Sequence, residues 1–276
     1  MTTEHEPDLS RPAFPDPADR DTLIALAEAA ADLAGRIIRP YFRARLDIDD
    51  KSDASPVTIA DRNAEQAMRA YLAEHCPEYG VLGEEFGLDR PAAPRRWVLD
   101  PIDGTRAFIT GRPVFGTLIG LLEGDRPLLG LIDQPITGER WIGIAGEATR
   151  FRGSFGGVPG TRACAALAQA ELSCTSPEMF RPQDKPRFDA LAAAARRVSW
   201  GGDCYAYGLL ALGQIDVIAE ATLKPWDWAA LVPVIEGAGG RMTDWAGAPL
   251  RLDGDGCALA VGDAALLDQA VAALAA

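Results

Sequence analysis

With 276 residues, 48% of them hydrophobic, the chain is long enough for a large core, and its length admits two domains or one layered α/β unit. A formal charge of −13 sets it against nucleic-acid backbones and favours soluble cations, while the lack of any 18-residue apolar run argues against a membrane span. The polar, acidic start has no basic-then-apolar signal pattern. The five cysteines are widely spaced without a Cys-x-x-Cys pair, so reduced thiols in a cytoplasmic protein are expected. Only His5 and His75 are present, which argues against a histidine-rich zinc site and a Ser-His-Asp triad.

Residues 1–18, rich in acids and prolines, read as a loose tail. From Asp19 onward Leu23, Ala27, Ala30, Leu33, Ala34, Ile37, Ile38 and Phe42 recur at helical spacing, which predicts a long amphipathic helix ending near Pro40. A polar stretch containing Lys51 leads into a second helix marked by Ala60, Ala64, Ala67, Met68, Tyr71 and Leu72, with Asp61 in its first turn. A brief strand over Val81 and Leu82 runs into Glu84 and Glu85. Adjacent strand residues face opposite ways, so only one of the two glutamates readily joins a shared site. Residues 115–122, 128–133 and 140–145 read as an antiparallel meander. The Gly-rich stretch 146–160 marks a boundary between subdomains at 19–150 and 151–276. Beyond it, strands at 171–174 and 214–219 alternate with helices at 188–195, 205–212, 227–237 and 264–275, in α/β fashion.

The stretch with most chemistry is Trp97-Val98-Leu99-Asp100-Pro101-Ile102-Asp103-Gly104-Thr105. The apolar run reads as a buried strand stopped by Pro101 as the first carboxylate emerges. Gly104 permits a tight path, after which the amides of Gly104, Thr105 and Arg106 open a short helix suited to a phosphate. Asp100 and Asp103, with the Ile102 carbonyl between them, have the oxygens to hold one hard cation. Taken alone, the same residues also describe a surface Asp-Pro turn. Trp226 and Trp228 read as packing residues, and Gly237-Ala238-Gly239-Gly240 as a helix end, not a dinucleotide fingerprint.

Three segments together carry a resemblance. Gly83-Glu84-Glu85, Asp100-Pro101-Ile102-Asp103-Gly104-Thr105 and Trp226-Asp227-Trp228-Ala229-Ala230 resemble, in order and spacing, the signatures of the inositol monophosphatase superfamily of magnesium-dependent, lithium-sensitive phosphatases. The resemblance spans roughly residues 20–270 and implies a layered αβαβα sandwich, often dimeric. It further implies that Glu84, Asp100 and the Ile102 carbonyl hold one Mg²⁺, while Asp100, Asp103 and Asp227 hold a second, with Mn²⁺ as a substitute. Thr105 backed by Asp61 resembles the pair that orients the attacking water. Residues other than this set have softer roles: Glu85 near the metals, and Lys51 steadying mobile acids or simply solvated.

Within the superfamily, residues 108–118 and Trp200-Gly201-Gly202-Asp203-Cys204-Tyr205-Ala206-Tyr207-Gly208 look like those of histidinol-phosphate phosphatases. Inositol phosphatases usually carry a Gly-Thr-Ala or Gly-Ser-Ala step where this chain has Gly201-Gly202-Asp203. The ammonium and imidazole of histidinol phosphate call for acids in the leaving-group pocket, and Asp203 and Glu220 are candidates, with Asp227 alongside. Asp203 has a second reading as the N-cap of the following helix. Competing functions are the same hydrolysis of inositol 1-phosphate, fructose bisphosphate or a nucleotide 3′-phosphate, and a non-catalytic metal-binding scaffold.

Overall fold

The computed structural model describes residues 16–44, 48–50 and 56–275. Residues 1–15 of the expected tail, and Lys51, lie outside the described residues. Helix α1 (Pro17–Ile38) begins two residues earlier than its periodicity predicts, because Asp16 accepts from the Ala18 amide and Pro17 supplies a first turn that needs no donor. A short ribbon of β1 (Ile48–Asp50) and β2 (Pro56–Thr58) leads into α2 (Ile59–His75). There follow β3 (Gly80–Gly83), β4 (Gly87–Asp89), β5 (Arg95–Asp103), α3 (Thr105–Ile109), β6 (Gly116–Glu123), β7 (Arg126–Gln134), β8 (Glu139–Ile144) and β9 (Arg150–Arg152). The remaining elements are β10 (Glu171–Cys174), α4 (Lys185–Ala194), β11 (Arg197–Trp200), α5 (Asp203–Ala211), β12 (Val217–Glu220), α6 (Pro225–Trp228), α7 (Leu231–Gly237), β13 (Arg241–Thr243), β14 (Ala258–Val261) and α8 (Leu267–Leu274).

Seven strands form one mixed sheet in the order β4-β3-β5-β6-β7-β8-β9, and five form a second in the order β11-β10-β12-β14-β13. Three apolar clusters show how the layers stack. Leu23, Ala27, Ala30 and Ile38 of α1 and Ala64, Met68 and Leu72 of α2 pack with Trp97, Leu99, Ile119 and Leu131 on one face of the large sheet. Val98, Leu118 and Ile132 on the opposite face share a core with Tyr207 and Leu210 of α5, Val234 of α7, and Ile218 and Ala260 of the small sheet. The far face of the small sheet is closed by Phe188 and Leu191 of α4 and Ala270 and Leu274 of α8. The result is the αβαβα sandwich, with both sheets buried on both sides, which is why their strands read as apolar runs.

Three departures from the sequence reading place the site. The central strand does not stop at Pro101 but runs to Asp103. Asp100 pairs with Leu118 and Asp103 with Gly116, so β5 spends three steps where β6 spends two. Proline is tolerated at this bulge because it owes the ladder no donor there, and the Pro101 carbonyl is taken by the Thr117 hydroxyl at 2.8 Å. Residues 227–237, expected as one helix, form α6 and α7 with a break at Ala229 and Ala230. A continuous helix would need a donor from Pro233, which has none. The short strands β1, β2, β4, β9, β11, β13 and β14 are absent from the sequence reading.

The broken helix lies unusually close to the large sheet. Gly120, Gly130 and Gly143 are cross-strand partners in β6, β7 and β8. A β-carbon on Gly130 would fall 1.9 Å from the Ala230 carbonyl oxygen, and one on Gly143 2.2 Å from the Pro233 carbonyl carbon. This row without side chains lets the break at Ala229 and Ala230 and the start of α7 settle against the strands, which fixes α6 just ahead of them, with Asp227 at the end of β5.

Candidate active site

Strand period alone would put Asp100 and Asp103 on opposite faces, because they are an odd number of residues apart. The extra residue in β5 reverses the alternation once and turns both toward the same end of the sheet. Asp227, the third residue of α6, meets them there, and one carboxylate oxygen from each of the three lies within 4.8 Å of the others. Asp100 is buried and Asp103 and Asp227 are half-buried. Each is fixed by backbone donors: Asp100 Oδ1 accepts from the Ile102 amide at 3.0 Å, Asp103 Oδ2 from the Cys204 amide at 2.5 Å, and Asp227 Oδ2 from the Lys224 amide at 2.7 Å.

Burial and mutual repulsion make this cluster costly when ionised. Burial, followed by Glu84, Asp103 and Asp227, holds the Asp100 carboxyl far above the usual carboxylate range. Burial and the Asp227 charge push Asp103 to about 8, against the pull of the Cys204 hydrogen bond. Asp227 is pushed to about 7, again chiefly by burial. Among the described residues no lysine or arginine forms an ion pair with any of the three. An oxygen-only donor set with this much uncompensated charge fits a hard divalent cation, which would supply the missing positive charge.

Glu84 follows β3 directly, and its amide donates to the Leu99 carbonyl at 3.2 Å, carrying the β3–β5 pairing one residue further. Its charge raises Asp61, Asp100 and Asp227, although Glu84 is not among the acids whose oxygens lie within 4.8 Å of one another. The neighbouring Glu85 contributes its amide to Glu65 at 2.7 Å.

Asp61 sits in a capping box, its Oδ2 accepting from the Thr58 amide at 2.9 Å and hydroxyl at 2.5 Å. Its Oδ1 faces Thr105 Oγ1 at 3.5 Å, and that hydroxyl also lies 3.1 Å from the Ile102 carbonyl oxygen. Helix capping and placement at the site are therefore combined in one carboxylate. Burial pushes Asp61 to about 6, opposed by the Thr58 hydrogen bonds.

Gly104, at φ 88°, is the N-cap of α3, and Arg106 is exposed with its guanidinium 3.7 Å from Glu178. Asp203 is not the N-cap of α5. Gly202 holds that position at φ 118°, and Asp203 is the first helical residue at φ 43°. That left-handed conformation costs a non-glycine residue of order 1 kcal/mol or more. It aims the carboxylate at the site: a β-carbon on Gly104 would lie 2.8 Å from Asp203 Cγ. Burial, then Asp103 and Glu220, push Asp203 to about 8, while Arg112 and Arg106 pull it down. Glu220 is buried with both oxygens engaged, one by the Thr175 amide at 2.7 Å and the other by the Tyr207 hydroxyl at 2.9 Å. The sequence reading passed over Glu65, Arg112 and the Cys204 amide. Of these only Glu65 had a signal, its position four residues after Asp61 on one helix face.

Fold and cluster together define a layered α/β protein whose strand ends present carboxylates able to hold a metal ion. The chain belongs to the inositol monophosphatase family, whose model matches residues 19–275. A bifunctional phosphatase named IMPL2, chloroplastic, from Arabidopsis thaliana is 50% identical over 229 residues, covering 82% of this chain and 65% of that protein. The chain thus spans somewhat less than two thirds of that relative. A histidinol-phosphatase from Mycobacterium tuberculosis is 42% identical over 229 residues, covering 80% of this chain and 86% of its own. The solved structure of an inositol monophosphatase from Zymomonas mobilis superposes with a TM-score of 0.85 at 51% identity, covering 95% of this chain and all of that one.

Proposed function

We propose that this chain is a Mg²⁺-dependent phosphate monoester hydrolase that converts L-histidinol phosphate and water to L-histidinol and inorganic phosphate. The observation that carries the substrate assignment is Asp203, whose strained backbone turns a carboxylate over Gly104 beside the metal-binding acids. Asp100, Asp103, Asp227, Glu84 and the Ile102 carbonyl hold the cations. Bound there, the metal neutralises phosphate charge and lowers the pKa of a coordinated water. The protein's own groups do the rest. Asp61, with a pKa of about 6, is largely anionic at neutral pH and accepts from Thr105 Oγ1, leaving the hydroxyl's lone pairs to receive a proton of the attacking water. The amides of Gly104, Thr105 and Arg106 orient the phosphate oxygens. Asp203, held at about 8 by burial and by Asp103 in the free protein, loses its proton to solvent as the cationic leaving group pairs with it, and Glu220 braces Thr175 and Tyr207.

A second reading, hydrolysis of inositol 1-phosphate by the same machinery, is favoured by the 51% identity to the Zymomonas protein. Phosphate release from histidinol phosphate, inositol 1-phosphate and glycerol phosphate separates the two. The parent should prefer histidinol phosphate, and Asp203→Asn should cut that preference about tenfold or more, the value of one charge-assisted hydrogen bond. Equal losses on histidinol and glycerol phosphates, or a parent preference for inositol 1-phosphate, would remove the assignment.

A further inference from the structure

The turn that carries Glu84 is fastened from beneath by a side chain with no part in the scheme above. Glu65 lies on α2 one helical turn beyond Asp61 and is wholly buried. Its Oε2 accepts from the Glu85 amide at 2.7 Å, and its Oε1 from the Phe86 amide at 3.2 Å and from Arg69 Nε at 2.7 Å. Arg69 in turn donates to the carbonyls of Gly87 and Val81. The partner of this arrangement in the strand is Gly83, where a β-carbon would sit 2.1 Å from Glu65 Oε1.

We infer that Glu65 is a positioning residue that sets the place of Glu84 at the metal site, an inference that rests on Glu84 being a metal ligand. Gly83 and Gly87 pair across β3 and β4, so residues 84, 85 and 86 form a three-residue turn with no ladder of its own. Its three amides are all committed: Glu84 to Leu99 of β5, Glu85 and Phe86 to Glu65. Three N–H donors converge on Glu65, and only an ionised carboxylate accepts from all of them, since a glutamine would turn an NH₂ toward one. Asp61 and Glu65, four apart on α2, lie on one face of the helix. A single rigid element therefore carries Asp61 directly and holds Glu84 through its turn.

The test is the Mn²⁺ affinity of the metal-free full chain, read by titration calorimetry for the parent, Glu65→Gln, Glu84→Gln and the double variant. Glu65→Gln should weaken binding about 10- to 100-fold, as expected for a group that orients a ligand. In the double variant the second change should add no more than about twofold, because Glu65 acts only through Glu84. Parent-like affinity in Glu65→Gln, or penalties that multiply in the double variant, would overturn the inference. Parent-like affinity in Glu84→Gln would instead show that Glu84 is no ligand and remove the basis for both. Thermal melts without metal report folding. Should Glu65→Gln not fold, Arg69→Lys keeps the charge on Glu65 paired but loosens the Gly87 carbonyl. It should weaken Mn²⁺ about tenfold, and unchanged affinity would count against the inference.

Discussion

Two groups of acids lie against the large sheet and differ in their counter-charge. Toward β8, Asp133 meets Arg140 Nε at 2.6 Å, and the same guanidinium reaches Asp32 on α1 at 2.7 Å. Arg140 is itself only 3% exposed, so that cluster carries its own counter-charge. Asp100, Asp103 and Asp227 have no such partner among the described residues, so burial and mutual repulsion raise their carboxyls together, whereas at Asp133 the Arg140 charge opposes the upward push of burial. A buried acid with an arginine fastens helix to sheet, whereas a set of crowded acids without one has the donors to take up a cation.

The contrast is broken most severely by altering each cluster. Asp100→Asn should reduce kcat/KM for phosphate release on the order of 10³-fold, several kcal/mol of lost transition-state stabilisation, with the melting temperature held or raised as repulsion is relieved. Arg140→Met should do the reverse. Leaving Asp133 buried without its cation should cost about 3 kcal/mol in urea denaturation, with Mn²⁺ affinity unchanged. Thr105→Val, which keeps the side-chain shape but removes the hydroxyl proposed to accept a hydrogen bond from the attacking water, should lower kcat about 10²-fold with little change in KM.

The smallest effect is the dependence of stability on pH. Asp61, Asp227, Asp103 and Asp203 have folded values of about 6, 7, 8 and 8, all above the unfolded 3.8. Groups raised on folding bind more protons in the folded state, so the stability tied to them is full below pH 4 and is lost as pH climbs through 6 to 8. Between pH 5 and 8 ordinary carboxylates are already ionised. Metal-free protein should therefore lose more than about 1.4 kcal/mol over that interval, one pKa unit's worth. Saturating Mg²⁺ should flatten the slope, and a slope indifferent to Mg²⁺ would count against a metal in the cluster.

Much of this was legible in the sequence where a local rule had no competitor. Helical spacing gave α1 and α2, and unbroken apolar runs gave β5, β6 and β7, because those elements are long and face a single environment. The acids at 84, 100, 103 and 227 could be listed from motifs, and the structure brings Asp100, Asp103 and Asp227 together. What was hidden was how they meet. The bulge that turns Asp100 and Asp103 the same way depends on register with β6, and the close seat of the α6–α7 junction depends on glycines aligned across three strands. Neither register can be read along a single strand. Asp203 was named both as a pocket acid and as a cap; Gly202 takes the cap position, and the left-handed backbone that turns Asp203 over Gly104 had no signal in the sequence.

The proposed chemistry needs carboxylates from separate segments to hold a metal during hydrolysis of a phosphate monoester. It is tested most directly by stripping the protein with chelator and measuring phosphate release from histidinol phosphate as Mg²⁺ is added back. Release should be negligible without metal and should recover saturably with it. Full turnover in the stripped protein, or none from histidinol, inositol or glycerol phosphate at any Mg²⁺ concentration, would contradict it.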